Sequence, residues 1–316
     1  MPTLTQLSYI VALHRTGHFR KAAEDCNVSQ PTLSTQIQKA EAELGVTLFD
    51  RRSTPVRPTV PGRKLIELAR EVLSAHERLI DASSTADVPS GPFTLGIIPT
   101  LAPYVLPYFL RTFAERHPRV SLTVVVRPTH VIVEDIGAQR MDGAILATPL
   151  TEPMLTGEVL FYDPFYVYAH ERSPMLADDD VDLGHIDRSD LWLLEAGHCF
   201  RSQVVHLCGH ADRSVLTNVS FEGGSFETLR ALIDASSGFT LVPETYARTL
   251  PPDVRRARIR PFRDRVPTRE ISLVAHRFQW KTDILHVLAE AVRETAPRSL
   301  PRELGDGDVL PVPDRP

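Results

Sequence analysis

The chain has 316 residues, 42% of them hydrophobic and 24% charged, with a formal net charge of −5. This balance is typical of a globular protein of two or three domains and excludes a collagen-like or disordered chain. No apolar stretch reaches the ~20 residues of a membrane helix, and no basic segment precedes an apolar run at the N-terminus. We therefore expect a cytoplasmic protein that has no membrane partner.

Charge is distributed unevenly along the chain. Residues 1–62 carry seven basic and five acidic side chains, whereas the remainder carries 28 basic and 35 acidic ones. A basic end on an acidic body is typical of a nucleic-acid-binding module joined to a domain of another kind, although the excess here is small.

The first predicted elements form a helix-turn-helix. Apolar residues at helical spacing predict helices over residues 5–16 and 19–26, and Pro31 suits the first turn of a third helix. The residues predicted to face inward on this third helix are Leu33, Ile37, Ala40 and Leu44. A strand over residues 46–49 and a basic loop follow. In a helix-turn-helix the second helix of the pair, here the third helix of the chain, lies in the DNA major groove. Two short helices can also form a protein-interaction module.

Short polar side chains dominate the outer face of the third helix. Groups of this kind read base edges, and arginines on the following loop would bind phosphate or enter the minor groove. The candidate DNA-contacting residues are Gln30, Pro31, Thr32, Ser34, Thr35, Gln36, Lys39, Arg51 and Arg52.

A long helix is predicted from about residue 61 to residue 83. Its apolar residues are spaced 3, 4, 3 and 4 apart, which is the a/d pattern of a helix that packs against a partner helix. They are Leu65, Leu68, Val72, Ala75 and Leu79. The alternative is that this face packs against the chain's own body. Small, polar and Pro/Gly-bearing residues at 82–92 then predict a hinge.

Strands alternate with helices from residue 93 onward. Strands are predicted over 93–98, 120–126, 143–147, 191–194 and 239–242, and helices over 104–116, 131–140 and 226–236. This alternation predicts an α/β fold with a largely parallel sheet, and the length suffices for two lobes with a cleft between them. The tail beyond about Thr295 is rich in proline and charge, so we expect it to fray.

Two of the three cysteines, Cys199 and Cys208, lie nine positions apart. The stripe formed by Phe200, Val204 and Leu207 predicts that a helix joins them. Such a helix would separate the two Cα atoms by roughly 13 Å along its axis, whereas a disulfide needs about 7 Å or less. A bridge therefore requires the helix to unwind, which makes this segment a candidate redox switch.

Cys199 would begin this helix, where free amides and the helix dipole favour a thiolate. His198 and Arg201 are close in sequence and would add positive charge. A thiolate attacks peroxide to give a sulfenic acid, which a second thiol converts to a disulfide.

Two alternatives remain open for this segment. The thiols could be inert buried cysteines, or they could bind a metal together with nearby histidines, although the Cys-x-x-Cys spacing of structural zinc sites is absent. The residues of that metal alternative are His198, Cys199, His206, Cys208 and His210. The third cysteine, Cys26, is interpreted as a small core residue.

The runs Phe19–Ile37 and Glu43–Arg51 resemble the winged helix-turn-helix of LysR-type transcriptional regulators. The resemblance implies a winged helix-turn-helix over residues 1–60, a linker and dimerisation helix with hinge over 61–91, and a two-lobed periplasmic-binding-protein-like effector domain over 92–300. Residues 301–316 would be a flexible tail. The resemblance further implies a homo-oligomer built as a dimer of dimers, a double-stranded DNA operator and contact with RNA polymerase.

Three further segments resemble the hydrogen-peroxide sensors of that family: 193–199 with the second cysteine nine residues on, 226–232 and 238–243. The resemblance implies that Cys199 is the peroxidatic thiol and Cys208 the resolving thiol, reset by a cellular dithiol reductant. The residues implied to activate peroxide or stabilise the thiolate are Thr100, Thr129, His198 and Arg269. Ser202, in place of an acidic residue, and Asp234–Gly238, in place of a glycine-rich turn, depart from the family pattern and bear on the tuning of the switch.

The expected function is therefore a regulator of oxidative-stress genes, activating or repressing them, with neither cofactor nor metal and no enzymatic activity. One alternative is a thiol peroxidase. Another is a LysR-type regulator that binds a small metabolite between its lobes and carries its cysteines idly.

Overall fold

The computed structural model describes residues 1–83, 88–182, 184, 186, 190–195, 199–208, 224–305 and 307–312. The chain divides into two compact units. The first comprises Met1–Val88 with the segments Gly137–Arg140 and His276–Thr282, and the second comprises Pro89–Ile136, Met141–Ala275 and Asp283–Pro316. Within the described residues, no helix is both long and apolar enough to cross a membrane.

The first unit contains a winged helix-turn-helix and a long helix. Its elements are α1 (Leu4–Thr16), α2 (Phe19–Asp25), α3 (Gln30–Leu44), β1 (Phe49–Asp50), β2 (Arg57–Pro58) and α4 (Val60–Ser83). β1 and β2 pair antiparallel to form the wing. The strand expected over residues 46–49 is thus wrong in extent, because only Phe49 and Asp50 have a partner strand.

The ends of α3 follow from its sequence. The Ser29 hydroxyl accepts a hydrogen bond from the Thr32 amide at the N-terminus, and Gly45 adopts a left-handed conformation with φ of 68° at the C-terminus. Leu33 and Ile37 are buried in the core of this unit. Leu44, also expected to face inward, is 36% exposed because the helix ends there.

Helix α4 has two different faces. Ile66, Ala69, Arg70 and Ser74 are buried within the first unit. On the opposite side Leu68, Val72 and Leu79 are 44%, 47% and 69% exposed. Of the predicted apolar seam, only Leu65 packs against the helix-turn-helix core.

The second unit is an α/β structure. Its elements are β3 (Gly91–Ile97), α5 (Ala102–Arg116), β4 (Val120–Val126), α6 (Thr129–Gly137), β5 (Gly143–Thr148), β6 (Leu155–Ala169), α7 (Cys199–Cys208), α8 (Phe226–Ala235), β7 (Phe239–Pro243), α9 (Glu244–Ala247), α10 (Pro252–Arg258), β8 (Ile259–Arg260), β9 (Val266–His276), α11 (Thr282–Thr295) and β10 (Gly307–Val309).

The main sheet has the strand order β4-β3-β5-β9-β6-β7. β3 pairs parallel with β4 and β5, but β5 pairs antiparallel with β9, and β6 pairs antiparallel with β7 and β8. The expectation of a largely parallel sheet is therefore wrong: the long strands β6 and β9 reverse the direction, and both fall outside the segments predicted as strands. The strand predicted over 191–194 is reduced to an isolated bridge between Leu191 and Phe239.

The second unit has two hydrophobic cores. One is built on β3, β5, α5 and α11, and it includes Cys199. The other is built on β6, β7 and α8, and it includes Phe200, Val204 and Cys208. Each lobe of the predicted two-lobed domain thus has its own core, and α7 contributes to both.

The expected flexible tail is ordered over its described part. Residues Gly307–Val309 form β10, which pairs parallel with Val266–Thr268 of β9. Beyond it, Leu310 and Val312 are only 3% and 8% exposed. Within the described part of this segment, the apolar residues therefore pack against the second unit instead of fraying.

Candidate functional site

Helix α7 has the two thiols at its two ends. Cys199 is its first residue and Cys208 its last, and both are reduced and buried. Phe200 and Val204 are buried as their helical spacing predicts, and Leu207 is half-buried. Because nine residues of helix separate the Cα atoms by roughly 13 Å, a disulfide cannot form in this conformation.

The Cys199 thiol is 7% exposed. Burial is the dominant influence on its pKa and raises it above the ordinary value, although the Thr129 hydroxyl, the Arg269 charge and the amides of Cys199 and Phe200 each lower it. The amides at the helix start therefore favour the thiolate, as predicted, but desolvation outweighs them in this conformation.

Two threonines reach this region from neighbouring strands. Thr100 lies three residues after β3 and is 2% exposed, and Thr129 is the first residue of α6, three residues after β4. The carboxyl ends of parallel strands meet at one edge of a sheet, which is where α/β proteins bind small ligands. The Thr129 oxygen is buried and, apart from its interaction with the Cys199 thiol, has no hydrogen-bond partner among the described residues.

Arg269 on β9 is fully buried and connects these groups. Its guanidinium donates hydrogen bonds to the hydroxyl and the carbonyl of Thr100, at 3.1 and 3.3 Å. It also lies over the Phe200 ring, 5.5 Å from the centroid. Thr129 and Arg269 thus act directly on the Cys199 thiol, and Thr100 is joined to the site through Arg269.

Sequence reasoning missed the anion that neutralises Arg269. Asp163 on β6 is fully buried and accepts hydrogen bonds from Arg269 at 2.8 and 3.0 Å. It also accepts from the amide and the hydroxyl of Thr245, at 2.9 and 2.8 Å. The available signal was a carboxylate within the apolar run 159–169, since a charge inside a buried strand requires a partner.

Two of the other predicted groups, Arg201 and His206, do not contact these residues. Arg201 donates instead to the Leu194 carbonyl at 2.8 Å. His198 and His210 lie outside the described residues, and His206 is exposed. Among the residues that the structure does describe, no group of three His, Cys, Asp or Glu side chains is arranged to hold a metal ion.

The predicted DNA-contacting face of α3 is accessible. Gln30, Thr32, Thr35 and Lys39 are exposed, as is Pro31, and Ser34 and Gln36 are half-buried. Gln36 is partly engaged already, because its side-chain oxygen accepts a hydrogen bond from Gln6 at 3.1 Å.

The two arginines of the wing differ from each other. Arg51 forms an ion pair with Glu41 at 2.8 Å and lies over the Phe19 ring. The other Glu41 oxygen accepts from the amides of Leu48 and Phe49, at 2.7 and 3.3 Å. Arg51 therefore braces the base of the wing, whereas the Arg52 side chain is exposed.

Comparison with known families assigns both parts of the chain. Residues 4–63 match the family described as bacterial regulatory helix-turn-helix protein, lysR family. Residues 86–297 match the LysR substrate binding domain. The second match alone covers more than half of the chain.

Curated relatives are similar over most of their length. The DNA-binding transcriptional dual regulator OxyR of Escherichia coli is 35% identical over 293 residues, which is 92% of this chain and 94% of the relative. The hydrogen peroxide-inducible genes activator of Haemophilus influenzae is 36% identical over 243 residues, which is 76% of this chain and 80% of the relative.

Solved structures are similar as well. A full-length cysteine variant of OxyR from Pseudomonas aeruginosa has a TM-score of 0.78 and 30% identity, covering 94% of this chain and 99% of its own. A hydrogen-peroxide-bound variant of Corynebacterium glutamicum OxyR has a TM-score of 0.59 and 30% identity, covering 93% of this chain and 92% of its own.

Proposed function

This chain belongs to the LysR family of bacterial transcriptional regulators, and we propose that it senses hydrogen peroxide by oxidation of Cys199 followed by disulfide formation with Cys208. Its relatives include peroxide-inducible gene activators and an OxyR variant with hydrogen peroxide bound. The observation that supports the proposal is that Thr129 and Arg269 act on the Cys199 thiol, with Thr100 bonded to Arg269 and a second thiol at the other end of the same helix.

The proposed chemistry has two steps. The Cys199 thiolate attacks one oxygen of hydrogen peroxide, the O–O bond breaks, and Cys199 becomes a sulfenic acid while hydroxide leaves. The Cys208 thiol then attacks the sulfenic sulfur, forming the disulfide and releasing water. A cellular dithiol would later reduce the bridge by thiol–disulfide exchange.

Each neighbour has a role in the first step. Thr129, whose oxygen is buried beside the thiol, would hold the thiolate and the incoming peroxide by hydrogen bonds. Arg269 and Thr100 would stabilise the negative charge that develops on the departing oxygen. His198, directly before Cys199 in the sequence, is proposed to assist in stabilising the thiolate.

The oxidised segment would act on DNA through a change in subunit arrangement. The exposed face of α3 and Arg52 would contact a double-stranded operator, and the exposed seam of α4 would pair two copies, with a dimer of dimers as the full assembly. Contact with RNA polymerase would follow at a promoter. A protein with these partners works in the cytoplasm and needs no catalytic turnover.

Peptide mapping without reductant, before and after one equivalent of hydrogen peroxide, tests the proposal. We expect a Cys199–Cys208 bridge, with Cys26 remaining reduced as the internal control. Cys199→Ser should abolish both the bridge and peroxide-dependent transcription, and Cys208→Ser should accumulate the sulfenic acid. Two results would contradict the proposal. One is continuous peroxide consumption that is faster than the supplied reductant reduces the bridge, and the other is a peroxide response that survives Cys199→Ser.

A further inference from the structure

The C-terminal segment 307–312, named here the C-terminal strap, lies beside both elements that build the thiol site. Its strand β10 pairs with Val266–Thr268, directly before Arg269. The Leu310 amide then donates to the Thr268 carbonyl at 2.9 Å. The strap is therefore attached to β9 at the residue that precedes the guanidinium beside Cys199.

The strap is also attached to the middle of α7. The Gln203 side-chain amide donates to the Leu310 carbonyl at 3.1 Å. Gln203 is fully buried, and among the described residues its Oε1 has no partner. Among those residues, the side-chain hydrogen bond of Gln203 to another element therefore runs to the strap, and losing it would leave the buried amide nitrogen without that partner.

Apolar packing supports the same attachment. Leu310 is part of the core that contains Phe200, Val204 and Cys208. Val312, two residues on, is part of the other core, which contains Cys199. The strap thus contacts the hydrophobic surroundings of both thiols.

We propose that Gln203 and the C-terminal strap are positioning elements that hold α7 helical and thereby set how readily the Cys199 sulfenic acid is converted to the disulfide. This inference rests on the proposed function. Closure requires α7 to unwind, and Gln203 lies near its middle, so unwinding must break the bond to Leu310. The strap then loses its tie to α7 whenever the bridge forms.

The two chemical steps respond differently if this is so. Sulfenic acid formation consumes peroxide at Cys199 while α7 is still helical, so the strap should not change its rate. Disulfide closure depends on the population of unwound α7, which the strap lowers. Loss of the strap should therefore accelerate closure and leave the first step unchanged, which a general loss of stability at the thiol site would not do.

The test uses Gln203→Met, whose side chain has similar length and cannot donate a hydrogen bond. Sulfenic acid formation is measured by a trapping reagent in the Cys208→Ser background, and closure by stopped peroxide reactions with Cys208 intact. We expect an unchanged first step and closure accelerated about two- to tenfold, the range that one hydrogen bond supports. Val205→Met, on the same helix, is the matched control and should leave both rates unchanged.

Truncation after Gly305 removes the strap and should accelerate closure at least as much, whereas truncation after Val312 should not. Hydrogen exchange of the reduced full chain adds a second readout: the amides of α7 should exchange faster in Gln203→Met than in the unsubstituted protein. Unchanged closure in Gln203→Met together with unchanged exchange of α7 in that variant would overturn the inference and leave the proposed function standing. If the unsubstituted chain forms no Cys199–Cys208 bridge, the proposed function itself fails.

Discussion

At the scale of single residues, Cys199 is a buried thiol whose reactivity depends on small compensating groups. Burial raises its pKa, and Thr129, Arg269 and the first amides of α7 lower it. The buried charge of Arg269 is at the same time balanced by Asp163. Because burial raises the pKa of Cys199, its reaction with peroxide should depend on pH.

The rate of peroxide oxidation should rise with pH through neutrality and continue to rise beyond pH 9.0. The reason is that burial raises the pKa of Cys199 above 9.0, its ordinary value. The thiolate is the reacting species, and its fraction grows tenfold per pH unit below the pKa. Because folding raises the pKa of Cys199, its contribution to the free energy of unfolding is fully present below the pKa of the unfolded chain. That contribution is lost as pH rises through the pKa of the folded protein. Stopped-flow oxidation of a Cys208→Ser variant measures the rate, and a plateau below pH 7 would contradict the assignment.

Thr129→Val should slow sulfenic acid formation about two- to tenfold, because one hydrogen bond to the thiolate is lost while side-chain volume is kept. The rate is measured at several pH values, since the lost bond should also raise the pKa of Cys199. Thr123→Val, on the exposed face of β4, is the matched control. Equal rates for the two variants would remove Thr129 from the site.

At the scale of elements, α4 presents an apolar stripe on a helix whose other face is already buried. Leu68, Val72 and Leu79 are exposed, and they follow the spacing of a helix pair. Such a stripe on a surface helix is typical of a self-complementary dimer interface.

Val72→Asp or Leu79→Asp should therefore break association while leaving each chain folded. Each buried apolar side chain contributes about 1.5–3 kcal/mol, and a two-fold interface loses it twice. Light scattering over a concentration series measures the mass. Val60→Asp, an exposed valine at the helix start and outside the seam, serves as the control and should not change it. An unchanged mass for Leu79→Asp would mean that the seam has another role.

The α3 helix and the wing make separable contributions to DNA binding. Thr35→Ala should cost about 1–3 kcal/mol at one base position and relax selectivity there. Arg52→Ala should weaken all sequences alike and reduce the salt slope by about one. Arg51→Ala should change the slope less, since Arg51 is paired with Glu41. Binding titrations at several salt concentrations separate these outcomes, and an equal slope loss for the two arginines would contradict the distinction.

The sequence is most informative where a local pattern decides the structure. Helix α3 has Pro31 in its first turn, as the sequence predicts, and α7 spans the two cysteines as its apolar stripe predicts. Strand β6 escaped prediction because most of it reads as an apolar run without alternation, as strands buried on both faces do. Strand β9 escaped because Pro267, Arg269 and Glu270 interrupt any apolar pattern in its first half. Asp163 was missed for a related reason: its partner Arg269 lies 106 positions away, and only the folded sheet brings them together.

At the scale of the whole molecule, the second unit keeps its two thiols in different hydrophobic cores. Cys199 belongs to one and Cys208 to the other. A bridge between them must withdraw at least one thiol from its core and expose part of the α7 stripe. The redox reaction supplies the free energy for this rearrangement, and reduction restores the helix. The length of α7 therefore makes the reduced and bridged states structurally exclusive.

Hydrogen exchange across residues 199–208, measured on the full chain with and without one equivalent of peroxide, tests this account most directly. Peptide mapping of the same samples reports the bridge, and Cys208→Ser, oxidised only to the sulfenic acid, provides the control in which α7 stays intact. The account predicts protected amides in the reduced protein and in the control, and loss of protection throughout α7 once the bridge forms. Equal protection of α7 in reduced and bridged protein would contradict it.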